Sequence, residues 1–150
     1  MKKERVRVLL DTNILISGLV FANGNEHKIL RLIAAGSLSL VLPETVLLEA
    51  KKVLNVKFEG MENLLNLYLD KIDFELVLLE DVLRRMNEDS GKVRDKKDAP
   101  IYSAAVTSKP DYVMTGDHDL RVDLTRSPEP AKNTMICSSR EFLRMYLDPH

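Results

Sequence analysis

The stretch Val6 to Asn13, Val-Arg-Val-Leu-Leu-Asp-Thr-Asn, constrains the fold more than any other part of the chain. A short apolar run ends abruptly in a carboxylate and feeds straight into a helix-like pattern. Runs of this kind read as central strands of a parallel sheet, buried on both faces. In open α/β sheets, ligands gather at the carboxyl ends of such strands. Asp11 is expected at that edge.

The rest of the chain repeats the alternation. Ile14 to Phe21 begins a helix, Asn23-Gly24-Asn25 signals a loop, and His27 to Ala35 places Ile29, Leu30, Leu32 and Ile33 at helical spacing before Gly36 as terminator. Leu38 to Leu42 reads as a second buried strand. Pro43 then opens a helix that runs to about Phe58, at a position needing no N–H donor. Gly60 breaks the pattern, Met61 to Lys71 resumes it, Phe74 to Leu79 is a third strand, and Leu79 to Met86 a short helix. The polar segment Asn87 to Lys97 reads as a loop. Asp98 to Ser108 is a helix, Tyr112 to Thr115 and Thr134 to Cys137 are strands, and Ser138 or Ser139 caps a final helix. Pro128 and Pro130 mark an irregular connection. Strands alternating with helices predict a mostly parallel sheet with right-handed crossovers, in one three-layer α/β/α domain over residues 1–150.

Composition narrows the class. With 45% hydrophobic and 30% charged residues the chain suits a globular protein rather than a disordered one. No apolar run approaches membrane-spanning length and no signal-peptide core follows Met1, so a cytoplasmic protein without membrane contact is expected. A single cysteine, Cys137, excludes an intramolecular disulfide and a cysteine-rich metal site. The net charge of −1 is low for a nucleic-acid binder, though local patches decide more than the sum.

Five acidic residues, at four places in the chain, invite a functional reading, and each has a plainer one. An Asp after a strand commonly caps the next helix, and Thr12 or Asn13 could cap equally well, so Asp11 alone favours neither. Glu49 falls at the edge of the apolar face formed by Val46, Leu47, Ala50, Val53 and Leu54, where a carboxylate is costly unless a cation or hydrogen bonds meet it. It could instead turn outward to Lys52 or Lys57. Asp98 precedes Pro100, which is tolerated only in a first helical turn, so capping would suffice to explain it. Asp117 and Asp119 follow the strand Tyr112 to Thr115 and Gly116; they could cap a short helix, but acids two apart repel unless something positive intervenes. Taken together, acids at element ends that should converge point to a divalent-metal site.

In these residues the sequence resembles the PIN-domain family of ribonucleases. Asp11-Thr12-Asn13 follows the first strand, Glu49 lies in the helix after the second, Asp98-Ala99-Pro100-Ile101 opens the next helix, and Thr115-Gly116-Asp117-His118-Asp119-Leu120 follows the fourth strand. The resemblance covers nearly the whole chain and is greatest to stand-alone prokaryotic members described as toxins of toxin–antitoxin pairs. It implies a five-stranded parallel sheet in the order 3-2-1-4-5 and Mg²⁺- or Mn²⁺-dependent RNA cleavage with one or two ions. It implies Asp11, Glu49, Asp98 and Asp117 as the acidic core, Asp119 as an additional ligand, and Asn13 and Thr115 as supporting positions. Many relatives carry another acid just before the Asp98 position; here Lys97 stands there, with Asp95 nearby as a substitute. Asp11 and Asp98 are expected as inner ligands and Asp117 as a shared one. Arg94, Lys96, Lys97 and Arg121, with Lys51 and Lys52, flank the acids and could meet phosphates, although ordinary surface charge explains each as well. Expected partners are RNA, an antitoxin protein and a second copy of the chain. Two other readings stand beside this one: a non-catalytic metal- or RNA-binding module, and a haloacid-dehalogenase-like phosphatase. The latter wants a second acid two residues after the first, where Asn13 stands.

Overall fold

A computed structural model describes residues 5–88, 96–126 and 133–147. Five strands form one sheet: β1 (Val6–Leu10), β2 (Leu38–Pro43), β3 (Phe74–Val77), β4 (Tyr112–Met114) and β5 (Met135–Cys137). Their order is β3-β2-β1-β4-β5 and every pairing is parallel, as the resemblance implies. Around the sheet lie α1 (Thr12–Val20), α2 (Asn25–Ala34), α3 (Glu44–Lys57), α4 (Asn63–Leu69) and α5 (Leu79–Glu88). A 3₁₀ turn, Lys96–Asp98, leads into α6 (Ala99–Ser108), followed by α7 (His118–Arg126) and α8 (Ser139–Leu147).

β1 is the central strand, and Val8, Leu9 and Leu10 are fully buried. Leu40, Val41 and Leu42 of β2 and Val113 and Met114 of β4 continue the same apolar layer. Burial on both faces explains why these strands are runs of aliphatic residues rather than alternating patterns.

The structure adds four features to the sequence reading. α7 was foreseen only as a short helix that Asp117 might start. Its apolar stripe is thin, since only Leu120 and Leu124 lie fully in the core while buried Asp123 interrupts them. Glu44 Oε1 accepts the Leu79 N–H at 2.7 Å, fastening the start of α5 to α3. His27 is half-buried with Nδ1 2.9 Å from the Gly18 carbonyl, joining α2 to α1. Ser138 caps α8 in a reciprocal box, its hydroxyl accepting the Glu141 N–H at 3.1 Å while Glu141 Oε1 accepts the Ser138 N–H at 3.1 Å. The expected Asn87 to Lys97 loop falls mostly outside the described residues, as do Pro128 and Pro130.

α1 and α2 approach so closely at Gly18 that a Cβ there would lie 2.7 Å from Leu30 Cδ1 and 2.9 Å from the Glu26 carbonyl oxygen. The carbonyl is backbone and cannot swing away. Helix propensity alone would make Gly18→Ala stabilising by about 1 kcal/mol. Overpacking should win, lowering stability by about 1–3 kcal/mol. A thermal melt decides: Tm should fall by several degrees, and a rise would show that α1 and α2 do not meet this tightly.

Glu141 also holds Arg121 in a two-pronged pair, at 2.7 and 2.9 Å, tying α8 to α7. That guanidinium, then the Ser138 N–H, hold the Glu141 carboxyl down to about 2 from its ordinary 4.5. A carboxyl whose folded value is lowered stabilises fully above the unfolded value, and the contribution disappears as pH falls through the folded one. Both side chains are substantially exposed, so the effect is small. The Tm gap between wild type and Glu141→Gln should therefore be present at neutral pH and close between about pH 4.5 and pH 2. A gap that persisted unchanged to pH 2 would refute the pairing.

Candidate functional site

Two backbone bonds build the site. Asp11 N–H donates to the Met114 carbonyl at 3.0 Å, and Thr115 N–H donates to the Cys137 carbonyl at 3.0 Å. They extend the β1-β4-β5 ladder one residue beyond the strands and set Asp11 beside Thr115 on the carboxyl edge of the sheet. Side chains then connect across the edge. Thr115 donates its hydroxyl to Asp11 Oδ2 at 2.9 Å and accepts the Asp117 N–H at 2.9 Å. Asp11 Oδ1 accepts the Thr12 N–H at 2.8 Å. Thr12, itself buried, donates to Glu49 Oε2 at 3.2 Å and so reaches from α1 to α3. Two threonines thereby join three acids that are distant in sequence.

The electrostatics agree with that geometry. Burial raises the Asp11 pKa above its ordinary value. The Thr115 and Thr12 bonds oppose the rise, while the negative charges of Glu49 and Asp117 add to it. Asp11 thus sits in a field of like charge that a cation would relieve.

Asp98 arrives by a different route. α6 precedes β4 and runs antiparallel to the strands, so its first residue lies at the same carboxyl edge. Asp98 is 5% exposed and stands at the N-cap, yet its side chain makes no capping bond. Capping, which would have explained this residue fully, does not. For the other strand-end acids the plainer role coexists with the functional one. Asp11 caps α1, and Asp117 Oδ1 accepts the N–H groups of Asp119 at 2.9 Å and Leu120 at 3.2 Å, capping α7.

The remaining expected residues divide. Asp119, Asn13 and Lys97 are exposed. Glu49 is also exposed as a residue, contrary to the desolvated position its helix pattern suggested; the face of α3 turns it outward and only its carboxylate tip meets Thr12. Arg121 is engaged by Glu141, which occupies the guanidinium edge that a phosphate would need. Lys96 belongs to the 3₁₀ turn, while Arg94 and Asp95 lie outside the described residues. The link that sequence reasoning missed is Thr12. It read only as a further capping candidate, and no local pattern shows that its hydroxyl faces another helix.

Among the described residues, no three His, Cys, Asp or Glu side chains are gathered closely enough to hold a metal ion by themselves. The donor set nevertheless fits a hard divalent cation. It consists of carboxylate oxygens, and Mg²⁺ characteristically keeps several waters while binding through one or two carboxylates plus substrate phosphate. An open edge with acids held by threonines suits that mode better than a closed cage.

Comparison with known proteins matches residues 7–119 to the PIN domain model, a span from β1 to the start of α7 that contains all four acids of the expected core. An uncharacterised protein of Methanocaldococcus jannaschii, MJ1680, is 30% identical over 125 residues, covering 80% of this chain and 76% of that protein. Among solved structures, VapBC2 from Rickettsia felis, bound to a DNA fragment from its promoter, matches with a TM-score of 0.59. That match has 18% identity and covers 87% of this chain and 97% of the other. Divergence of that order speaks for the fold. PIN domains are generally nucleases and typically use divalent metals. The family match over most of the chain makes this chain a member of the PIN-domain family.

Proposed function

We propose that the protein is a divalent-metal-dependent ribonuclease whose centre is the acidic edge around Asp11. One observation carries the reading: half-buried Asp11 is joined through Thr115 to Asp117, with Glu49 held by neighbouring Thr12, and both charges add to the rise that burial causes in the Asp11 pKa. Like charges assembled at a strand end are unfavourable without a cation, and the helix caps that Asp11 and Asp117 form could be made as well by neutral Asn or Ser.

In this reading Asp11 and Asp98 hold Mg²⁺ or Mn²⁺, with Asp117 shared and Glu49 contributing directly or through water. When bound, the ion lowers the pKa of a water and neutralises charge on the leaving oxygen. The protein's part is positional. Thr115 fixes Asp11 and Asp117 relative to one another, and Thr12 fixes the Glu49 carboxylate. Asn13, exposed at the start of α1, is left to contact solvent or substrate. With this function we group an antitoxin protein partner, as in the two-component VapBC2 assembly, and self-association of the chain.

Cleavage of RNA and of a chromogenic phosphate ester, each with Mn²⁺ or EDTA, separates the readings. A ribonuclease cuts only RNA and only with metal, a phosphatase turns over the ester, and a binding module does neither.

Asp11→Asn should abolish cleavage while keeping the α1 cap, because Asn caps as well as Asp. Removing one like charge should leave the metal-free protein as stable as wild type, or more stable by roughly 1 kcal/mol. A large loss of metal-free stability would show that the Asp11 charge stabilises the fold itself, and would refute the like-charge reading. Calorimetric titration with Mn²⁺ should give binding heat for wild type and little or none for Asp98→Asn; equal heats would remove Asp98 from the site. Thr12→Val should weaken Mn²⁺ binding about 10–100-fold, as loss of a ligand's supporting partner does. Thr12→Ser should restore it, and failure of that rescue would mean that Thr12 acts through packing.

A further inference from the structure

Between α3 and α4 lies an open groove of about 450 Å³ lined by Lys51, Lys52, Asn55, Glu62, Asn63 and Asn66. We infer that it is a binding track for single-stranded RNA leading away from the acidic edge. The inference deepens the ribonuclease reading and rests on it.

Placement is the first argument. α3 starts where β2 ends, at the carboxyl edge, and Glu49 lies in its second turn. At about 1.5 Å of rise per residue, Lys52 lies ~4.5 Å and Asn55 ~9 Å further along the axis. A strand whose phosphate is held at the acids can therefore continue down α3 into the groove. The volume falls within the range of about 300–1,000 Å³ typical of ligand sites.

Chemistry is the second. Among the described residues neither Lys51 nor Lys52 forms an ion pair, so both ammonium groups are available to phosphates. The three asparagines offer paired donors and acceptors, the groups that read base edges and 2′-hydroxyls.

The third is that these amides cost the fold something and serve none of its usual needs. Asparagine disfavours helix interiors because its side chain competes for backbone bonds. It is tolerated best as an N-cap. Yet the cap of α4 is Glu62, which makes no side-chain cap bond, while Asn63 and Asn66 occupy two of the helix's seven residues. Asn55 lies two residues from the end of α3. All three are exposed. Local choices that run against helix propensity concentrate where a chain serves function.

The test is fluorescence anisotropy of a fluorescein-labelled oligouridylate in EDTA, where no cleavage occurs, across a range of salt concentrations. Single-stranded binding loses affinity with salt at a slope of about −0.7 per phosphate neutralised. Lys51→Gln/Lys52→Gln should flatten that slope by about 1.4, and Asn55→Ala/Asn66→Ala should weaken binding several-fold with the slope unchanged. Lys28→Gln, on α2 and outside the groove, should alter neither. All these positions are exposed, so circular dichroism melts should be no lower than wild type, and higher for the asparagine pair, where Ala is the better helix former. Wild-type binding that the groove variants leave intact overturns the inference, and so does an absence of binding by wild type. Weakened binding by the groove variants, in a protein that cuts nothing with Mn²⁺, would uphold the groove and sink the ribonuclease reading instead.

Discussion

The hydrogen bond from the Asp11 N–H to the Met114 carbonyl sets Asp11 beside Thr115, the pair around which the site is arranged. It continues the β1–β4 pairing, in which Leu10 faces Met114, one step past the strands. The step matters because Asp11 and Thr115 are the first polar residues after two buried apolar runs. A register slip of one residue would exchange the side chains that β4 presents to the two core layers, and side chains of the wrong shape would meet each close-packed layer. The core therefore fixes the register, and the register fixes which polar groups meet at the edge. The site inherits its accuracy from aliphatic packing that takes no part in the chemistry.

The acids also have ordinary duties. Asp11 and Asp117 cap helices while carrying the charges that define the site, so the first turns of α1 and α7 are tied to its geometry. Asp98 has no capping bond and lies buried at the start of α6. These differences predict different penalties. Neutral isosteres at Asp11 or Asp117 can keep the cap, whereas Asp98 answers mainly to its surroundings at the edge. Thr12 and Thr115 are short, β-branched and stiff at χ1. That suits them to hold carboxylates in place where longer polar side chains would lose more conformational entropy.

Much of this was legible in the sequence, for a physical reason. Parallel strands buried on both faces are mostly aliphatic, so β1, β2 and β4 announce themselves, and the polar residues that follow β1 and β4, Asp11 and Thr115, mark the ligand edge. Helix ends at Gly36 and Gly60 were readable because both adopt positive φ, at 83° and 85°, which few other residues tolerate. What could not be read is how elements face one another. Glu49 seemed half-buried from its helical position, but the turn of α3 relative to α1 exposes it and leaves only the Thr12 contact. Arg121 looked like a phosphate ligand until α8 brought Glu141 against it. α7 was faint because Asp123 interrupts its apolar stripe. Tertiary placement of polar side chains leaves no period in the sequence, and that is where the reading stopped.

The account stands or falls on whether the dispersed acids share a cation. The most direct test is a crystal grown with Mn²⁺ and examined at a wavelength where manganese scatters anomalously. An anomalous peak bounded by carboxylate oxygens of Asp11 and Asp98, with waters completing the shell, is the predicted result. Manganese bound elsewhere, with Asp98 turned away from Asp11, would contradict it.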